Sequence, residues 1–294
     1  MIKRTIAIEN PCKLSIKDRQ LLIEKNGGLA GKIPVEDIGV LLVDHPAVLY
    51  THACFTELLE NNCAVVLSGK NHHPNGLLLP LDGNSVQSER FRHQVESSLP
   101  LKKQLWRQTI RAKIRNQALH LQQCGAGAEK LFDLSQKVKS GDSDNLEAQS
   151  ARYYWPRIFG SKFSRDRNGK PPNNMLNYGY TVLRAGVARA LVSAGLLPTL
   201  GIHHRSRYNA FCLADDIMEP FRPYVDKIVF ELREEHPKAE ILTTEIKQSL
   251  LSILTIDAKY KNQTRPLMLG LHQTAASLYR CFAGEQKSID YPEL

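Results

Sequence analysis

The sequence has no long hydrophobic run. Its longest, residues 38–43 and 63–67, fall far short of the ~20 apolar residues that a membrane-spanning helix needs. The start, Met1-Ile2-Lys3-Arg4-Thr5, carries neither the apolar stretch nor the cleavage site of an export signal, so a cytoplasmic protein without membrane contact is expected. Cysteine is sparse and scattered. Cys12, Cys54, Cys63, Cys124, Cys212 and Cys281 show no paired spacing, which argues against a disulfide frame or a cysteine-rich zinc site and for reduced thiols. Low-complexity tracts are absent, and 42% apolar residues is the share of a folded globular chain. Negative charge is the other shortage. Thirty Asp and Glu stand against 39 Lys and Arg, a net charge of +9, so an anionic partner is favoured, and nucleic acid is the commonest kind.

What is present divides in two. Residues 1–82 read as β structure: Thr5-Ile6-Ala7-Ile8-Glu9, Lys13-Leu14-Ser15-Ile16-Lys17 and residues 20–25 are short, partly alternating runs broken by turn signals. One short helix capped by Thr51, residues 51–62, precedes a buried strand, Ala64-Val65-Val66-Leu67. His72-His73 falls in a polar loop and lacks the partners of a zinc site. Residues 83–88 form a linker, and residues 89–294 have helical period almost throughout. The expected class is α+β, a small N-terminal β-sandwich followed by a larger all-α domain.

Within the helical part, residues 102–123 put Trp106, Ile110, Ile114 and Leu121 on one face and many basic residues on the other. That basic face is either a solvated surface or a phosphate contact. Residues 160–172 form a breaker-rich loop with Lys162, Arg165, Arg167 and Lys170, of the kind that orders on a ligand. A long helix runs from Asn173 to Gly195, and a loop at 199–209 carries His203, His204, Arg205 and Arg207. The tail beyond Gly284 is expected to fray.

Residues 213–223, Leu-Ala-Asp-Asp-Ile-Met-Glu-Pro-Phe-Arg-Pro, concentrate the chemistry. Asp216 and Glu219 are three apart, so on a helix both carboxylates lie on one face, which also carries Leu213 and Arg222. Asp215 and Asp216 read equally as an acidic first turn facing the helix dipole. By spacing, Asp144-Asn145-Leu146-Glu147 reads as a capping box, with Glu147 returning to the cap backbone. An imidazole with two or three carboxylates suits Mg²⁺ or Mn²⁺, which can polarise a phosphoryl oxygen.

Taken together, Glu147-Ala148-Gln149-Ser150-Ala151-Arg152-Tyr153-Tyr154-Trp155, Asn177-Tyr178-Gly179-Tyr180, Gly201-Ile202-His203-His204 and Asp216-Ile217-Met218-Glu219-Pro220-Phe221-Arg222-Pro223 resemble the CRISPR-associated spacer integrase, the first of the numbered CRISPR-associated proteins, in its type II subgroup. The resemblance runs from near residue 1 to about residue 285. It implies a metal site built from Glu147, His204 and Glu219, with Asp216 and Arg222 in support, and Asp215 and His203 as local structure. Lys162, Arg165, Arg167, Lys170 and Arg205 become candidate DNA contacts. Also implied are a homodimer formed through the β domain, a complex with the small second numbered protein, other type II CRISPR proteins as partners, and double-stranded DNA as substrate. The implied reaction is a transesterification in which a fragment's 3′-hydroxyl attacks a phosphodiester at the edge of a CRISPR repeat. Two rival readings remain open, an inert DNA-binding scaffold and a general metal-dependent nuclease acting on branched DNA or RNA.

Overall fold

The structure, a computed structural model, describes residues 3–69, 74–166, 168–237, 239–261 and 263–294, with the backbone alone at 74 and 75. The N-terminal region opens with β1 (Arg4–Ile8), β2 (Lys13–Lys17), β3 (Gln20–Lys25), β4 (Gly28–Pro34), β5 (Ile38–Val43) and β6 (Leu49–Tyr50). Helix α1 (His52–Glu60) then leads to β7 (Ala64–Ser68) and β8 (Pro74–Leu78). These strands form two four-stranded sheets, ordered β1-β5-β7-β8 and β4-β3-β2-β6. In the first, β5 lies between β1 and β7 and pairs parallel with both. Every residue of β5 is buried, as a continuous apolar run requires of a parallel strand covered on both faces. Alternation along it divides two cores. Val40 and Leu42, with Ala64 and Val66 of β7, enter the core shared with the helices, while Leu41, Val43 and Val65 enter a separate core with Leu14, Leu21, Cys54 and Leu58. The pair His72-His73 lies outside the described residues.

The helical part comprises α2 (Gln87–Glu96), α3 (Leu99–Gln123), α4 (Glu129–Lys137), α5 (Leu146–Phe159), α6 (Asn173–Ser193), α7 (Cys212–Met218), α8 (Arg222–Glu235), α9 (Thr244–Leu251) and α10 (Leu267–Phe282). It is not wholly α. A hairpin of β9 (Asp257–Tyr260) and β10 (Gln263–Pro266) precedes α10, correcting the all-α expectation. Among the described residues no helix is long and apolar enough to cross a membrane.

Helix α6 is the central element, buried on nearly every side. Its neighbours come close because Gly179 and Gly186 leave no room for a side chain. A Cβ on Gly179 would lie 2.5 Å from Val225, and one on Gly186 would lie 2.7 Å from Leu254. The sheet is joined to the helices by charge as well as packing. Lys247 of α9 lies 2.7 Å from the buried carboxylate of Asp44 and 3.7 Å from Glu9.

The C-terminal tail does not fray. Ile289 is buried, the Tyr291 and Thr109 hydroxyls are 2.8 Å apart, Glu293 pairs with Arg115 at 2.9 Å, and Glu293 also bridges to Lys259 of β9. Apolar Ile289 and the aromatic Tyr291 outweigh the polar composition of the tail.

Candidate active site

Glu147 lies in the first turn of α5, after a bend in which Gly141, Asp142 and Asn145 take positive φ of 70°, 52° and 51°. Asn145, not Asp144, is the cap. Its side chain accepts the Ala148 N–H at 3.3 Å, and the Asp142 carboxylate accepts the N–H groups of Leu146 and Glu147 at 2.9 and 3.0 Å. These acceptors satisfy the first turn without the Glu147 side chain, which corrects the capping-box reading. The freed carboxylate turns to Lys113 of α3, whose ammonium donates to Oε1 at 2.6 Å.

Glu219 opens a 3-10 turn, Glu219–Phe221, between α7 and α8. Asn116 fixes that turn by donating to the Pro220 carbonyl at 2.8 Å, and it ties in the tail by donating to the Pro292 carbonyl at 3.1 Å. The Glu219 carboxylate is buried between two cations, with Arg222 Nε 2.9 Å from Oε1 and Lys113 Nζ 2.6 Å from Oε2. Both contacts are close but off hydrogen-bond angle, so Glu219 Oε2 and Arg222 Nε lack a directional partner. Burial alone would raise the Glu219 pKa, but Arg222 and Lys113 hold it below the ordinary carboxylate range. For Lys113 burial works downward and is overcome by Glu219 and Glu147, which keep it above the usual lysine value.

His204 is held by Asp216, a fully buried residue of α7. Its Nδ1 lies 2.5 Å from Asp216 Oδ1, while the His203 and His204 N–H groups donate to the same carboxylate at 2.8 and 3.3 Å. That hydrogen bond is the main cause raising the His204 pKa. Gly201 makes the loop possible: a Cβ there would meet Asp216 Oδ2 at 2.7 Å and the His204 carbonyl more closely still. His203 stacks on Trp106 with ring centroids 4.1 Å apart, and burial lowers its pKa. Asp215 pins the loop from the other side, 2.6 Å from Arg184 Nε and 2.8 Å from Asn209 Nδ2. His204 borders a cleft also lined by Lys102, Arg205, Arg207 and the exposed Tyr208.

The structure thus brings Glu147 and Glu219 onto one ammonium, that of Lys113, and holds His204 on Asp216. Among the described residues, no three His, Cys, Asp or Glu side chains are gathered tightly enough to hold a metal ion as they stand. The donor types fit one nonetheless. Two carboxylates converge on a position already filled by a cation, the ammonium of Lys113, and a buried Glu219 oxygen there has no directional hydrogen bond.

Of the candidate DNA contacts, Lys162, Lys170 and Arg205 are exposed. Arg165 is turned inward and donates to Asn173 and Asn177 at 3.0 and 2.7 Å. Arg167 lies outside the described residues. Sequence reasoning missed Lys113 by treating the charges of α3 as one exposed face. The signal was its position, three after Ile110 and beside Ile114, on the apolar stripe.

Comparison with known proteins gives a consistent answer. The family model for "CRISPR associated protein Cas1" matches residues 6–252. The CRISPR-associated endonuclease Cas1 of Neisseria meningitidis serogroup C (strain 8013) is 37% identical over 297 residues, covering 100% of this chain and 97% of the relative. Among solved structures, a casposase bound to integration product superimposes with a TM-score of 0.80 at 19% identity, covering 99% of this chain and 93% of that one. A chain of a Cas6-RT-Cas1–Cas2 complex gives 0.76 at 20% identity, covering 99% of this chain and 36% of that one. The two structural likenesses speak for the fold alone. The family match across most of the sequence and the full-length Neisseria relative show that this chain belongs to the Cas1 family of CRISPR-associated proteins.

Proposed function

We propose that the chain is a metal-dependent DNA integrase and endonuclease of CRISPR adaptation, of the type II subgroup, which joins the 3′-hydroxyl ends of short DNA fragments to the repeat of a CRISPR array. The observation that carries this reading is the convergence of Glu147 and Glu219, from α5 and the turn after α7, on a single cationic position. Glu147, Glu219 and His204 would hold Mg²⁺ or Mn²⁺, which when bound neutralises charge developing on the reacting phosphodiester.

The chain's own residues prepare that chemistry. Arg222 keeps the buried Glu219 ionised, and Asp216 fixes the ring of His204 through Nδ1 so that Nε2 is the nitrogen left for a ligand. Lys162, Lys170 and Arg205, all exposed, would be the phosphate contacts, which position DNA without reading sequence. The attacking oxygen is the fragment's 3′-hydroxyl and the leaving oxygen is the 3′ oxygen of the cut repeat strand. One phosphodiester replaces another, and no protein nucleophile is required.

The basic balance of the chain favours double-stranded DNA as the partner, and the likeness to a chain of a Cas6-RT-Cas1–Cas2 complex favours Cas2. The reading also includes a homodimer formed through the two N-terminal sheets as a small sandwich, in a complex with other type II proteins. One observation favours the inert-scaffold reading, the presence of Lys113 where the ion would sit. Integration into a supercoiled plasmid bearing a CRISPR repeat, with and without Cas2, in Mn²⁺ or EDTA, separates the two. Joined product in Mn²⁺ alone supports the integrase, and DNA binding without joining in either condition supports the scaffold.

A further inference from the structure

We propose that Lys113 is the resident counter-cation of this site, holding Glu147 and Glu219 together in the metal-free protein and giving up its place when a divalent cation enters. The inference rests on the assignment of Glu147 and Glu219 as metal ligands and goes beyond it by naming what that ion must displace.

The geometry comes first. Lys113 projects from the buried side of α3, near Ile110 and Ile114, and its ammonium lies 2.6 Å from carboxylates supplied by two other elements. Two carboxylates brought this close without a cation would repel each other strongly. Lys113 therefore sets their convergence before any ion arrives.

The charges come second. Two carboxylates, Glu147 and Glu219, face two cations, Lys113 and Arg222. The cluster is already balanced. A doubly charged ion entering between Glu147 and Glu219 would sit against an ammonium, so it either binds weakly or one resident cation leaves.

The third observation selects which one leaves. Arg222 grips Glu219 Oε1 and lies over the Tyr180 ring, 4.7 Å from its centroid, and His204 is tied to Asp216 through Nδ1. Lys113, like Arg222, meets Glu219 off hydrogen-bond angle, but its other partner, Glu147, is partly exposed. A lysine is a compact charge on a flexible four-carbon stem, so it can swing away without dismantling a planar clamp. A purely structural ion triad would keep its lysine whether or not metal was present.

The test is a Mn²⁺ titration, followed by the electron paramagnetic resonance of the free ion, on the wild-type chain, Lys113→Met, Glu219→Gln and Glu147→Gln. Lys113→Met is expected to bind Mn²⁺ at least about tenfold more tightly than wild type. Its metal-free form is expected to melt at a lower temperature, with Mn²⁺ restoring the difference. Equal or weaker binding by Lys113→Met overturns the inference. Wild-type binding that neither Glu219→Gln nor Glu147→Gln weakens overturns the ligand assignment beneath it. Should Lys113→Met not fold, the wild-type chain gives an independent answer through amine acetylation read by mass spectrometry. Labelling of Lys113 should rise several-fold on saturation with Mn²⁺, and unchanged labelling contradicts displacement.

Discussion

His204 Nδ1 lies 2.5 Å from Oδ1 of Asp216, a carboxylate with no solvent exposure that also accepts the backbone N–H groups of His203 and His204. One acid thus sets both the path of the loop and the orientation of its imidazole. Replacing it by asparagine keeps the shape but presents an amide where the ring needs an acceptor. Asp216→Asn is expected to lose about 10–100-fold in strand transfer and in Mn²⁺ affinity together, the usual effect of removing a partner that orients a ligand. Parallel rate and binding measurements check this, with circular dichroism as the folding control. An unchanged rate would mean that Asp216 does not orient His204 for the reaction.

Asp226 of α8 gives a prediction in pH. It is fully buried, accepts hydrogen bonds from Tyr180 and, at 3.0 Å, from Tyr154, and burial pushes its pKa up to about 7 despite both donors. An unfolded aspartate titrates near ~3.9. Between about pH 4 and about 7 the folded chain therefore holds a proton that the unfolded chain has lost. The stability contributed by this group is complete below the unfolded value and is lost as pH rises through the folded one, by up to ~1.4 kcal/mol per pH unit. Asp226→Asn should flatten that fall. Urea unfolding of both proteins across the window measures it.

The exposed Lys162, Lys170 and Arg205 make a prediction about salt. If each meets a phosphate, replacing any one by alanine lowers the slope of log affinity against log salt by about 1. Arg165→Ala should behave differently, since its guanidinium is engaged by Asn173 and Asn177. It should lower thermal stability and leave the slope alone. Fluorescence anisotropy of labelled duplex across a salt series distinguishes the two classes.

How much of this was legible in the sequence depends on how local the physics is. The β-rich start, the helical remainder and the acid-rich helix followed from hydrophobic period and turn chemistry. The parallel pairing of β5 with β1 and β7 did not, because crossover partners leave no local mark. Spacing alone put Glu147 in a capping box, a reading the resemblance had already set aside, because the positive φ at Asp142 and Asn145 that moves the cap is set by the bend and not by spacing. The tail was misjudged from its polar composition, although Tyr291 and Glu293 find partners on α3. Lys113 is the instructive omission. A lysine beside isoleucines on an apolar stripe has to find buried carboxylates, and the sequence already held the acids that meet it.

The most direct test of the central claim is strand transfer itself. A short duplex with free 3′-hydroxyl ends is incubated in Mn²⁺ with repeat-bearing plasmid and with wild-type chain, Glu147→Gln, Glu219→Gln or His204→Ala. Joined product is expected from wild type, none when EDTA is present, and loss of joining in all three variants while duplex binding is largely retained. Joining by Glu219→Gln or His204→Ala at the wild-type rate would contradict it.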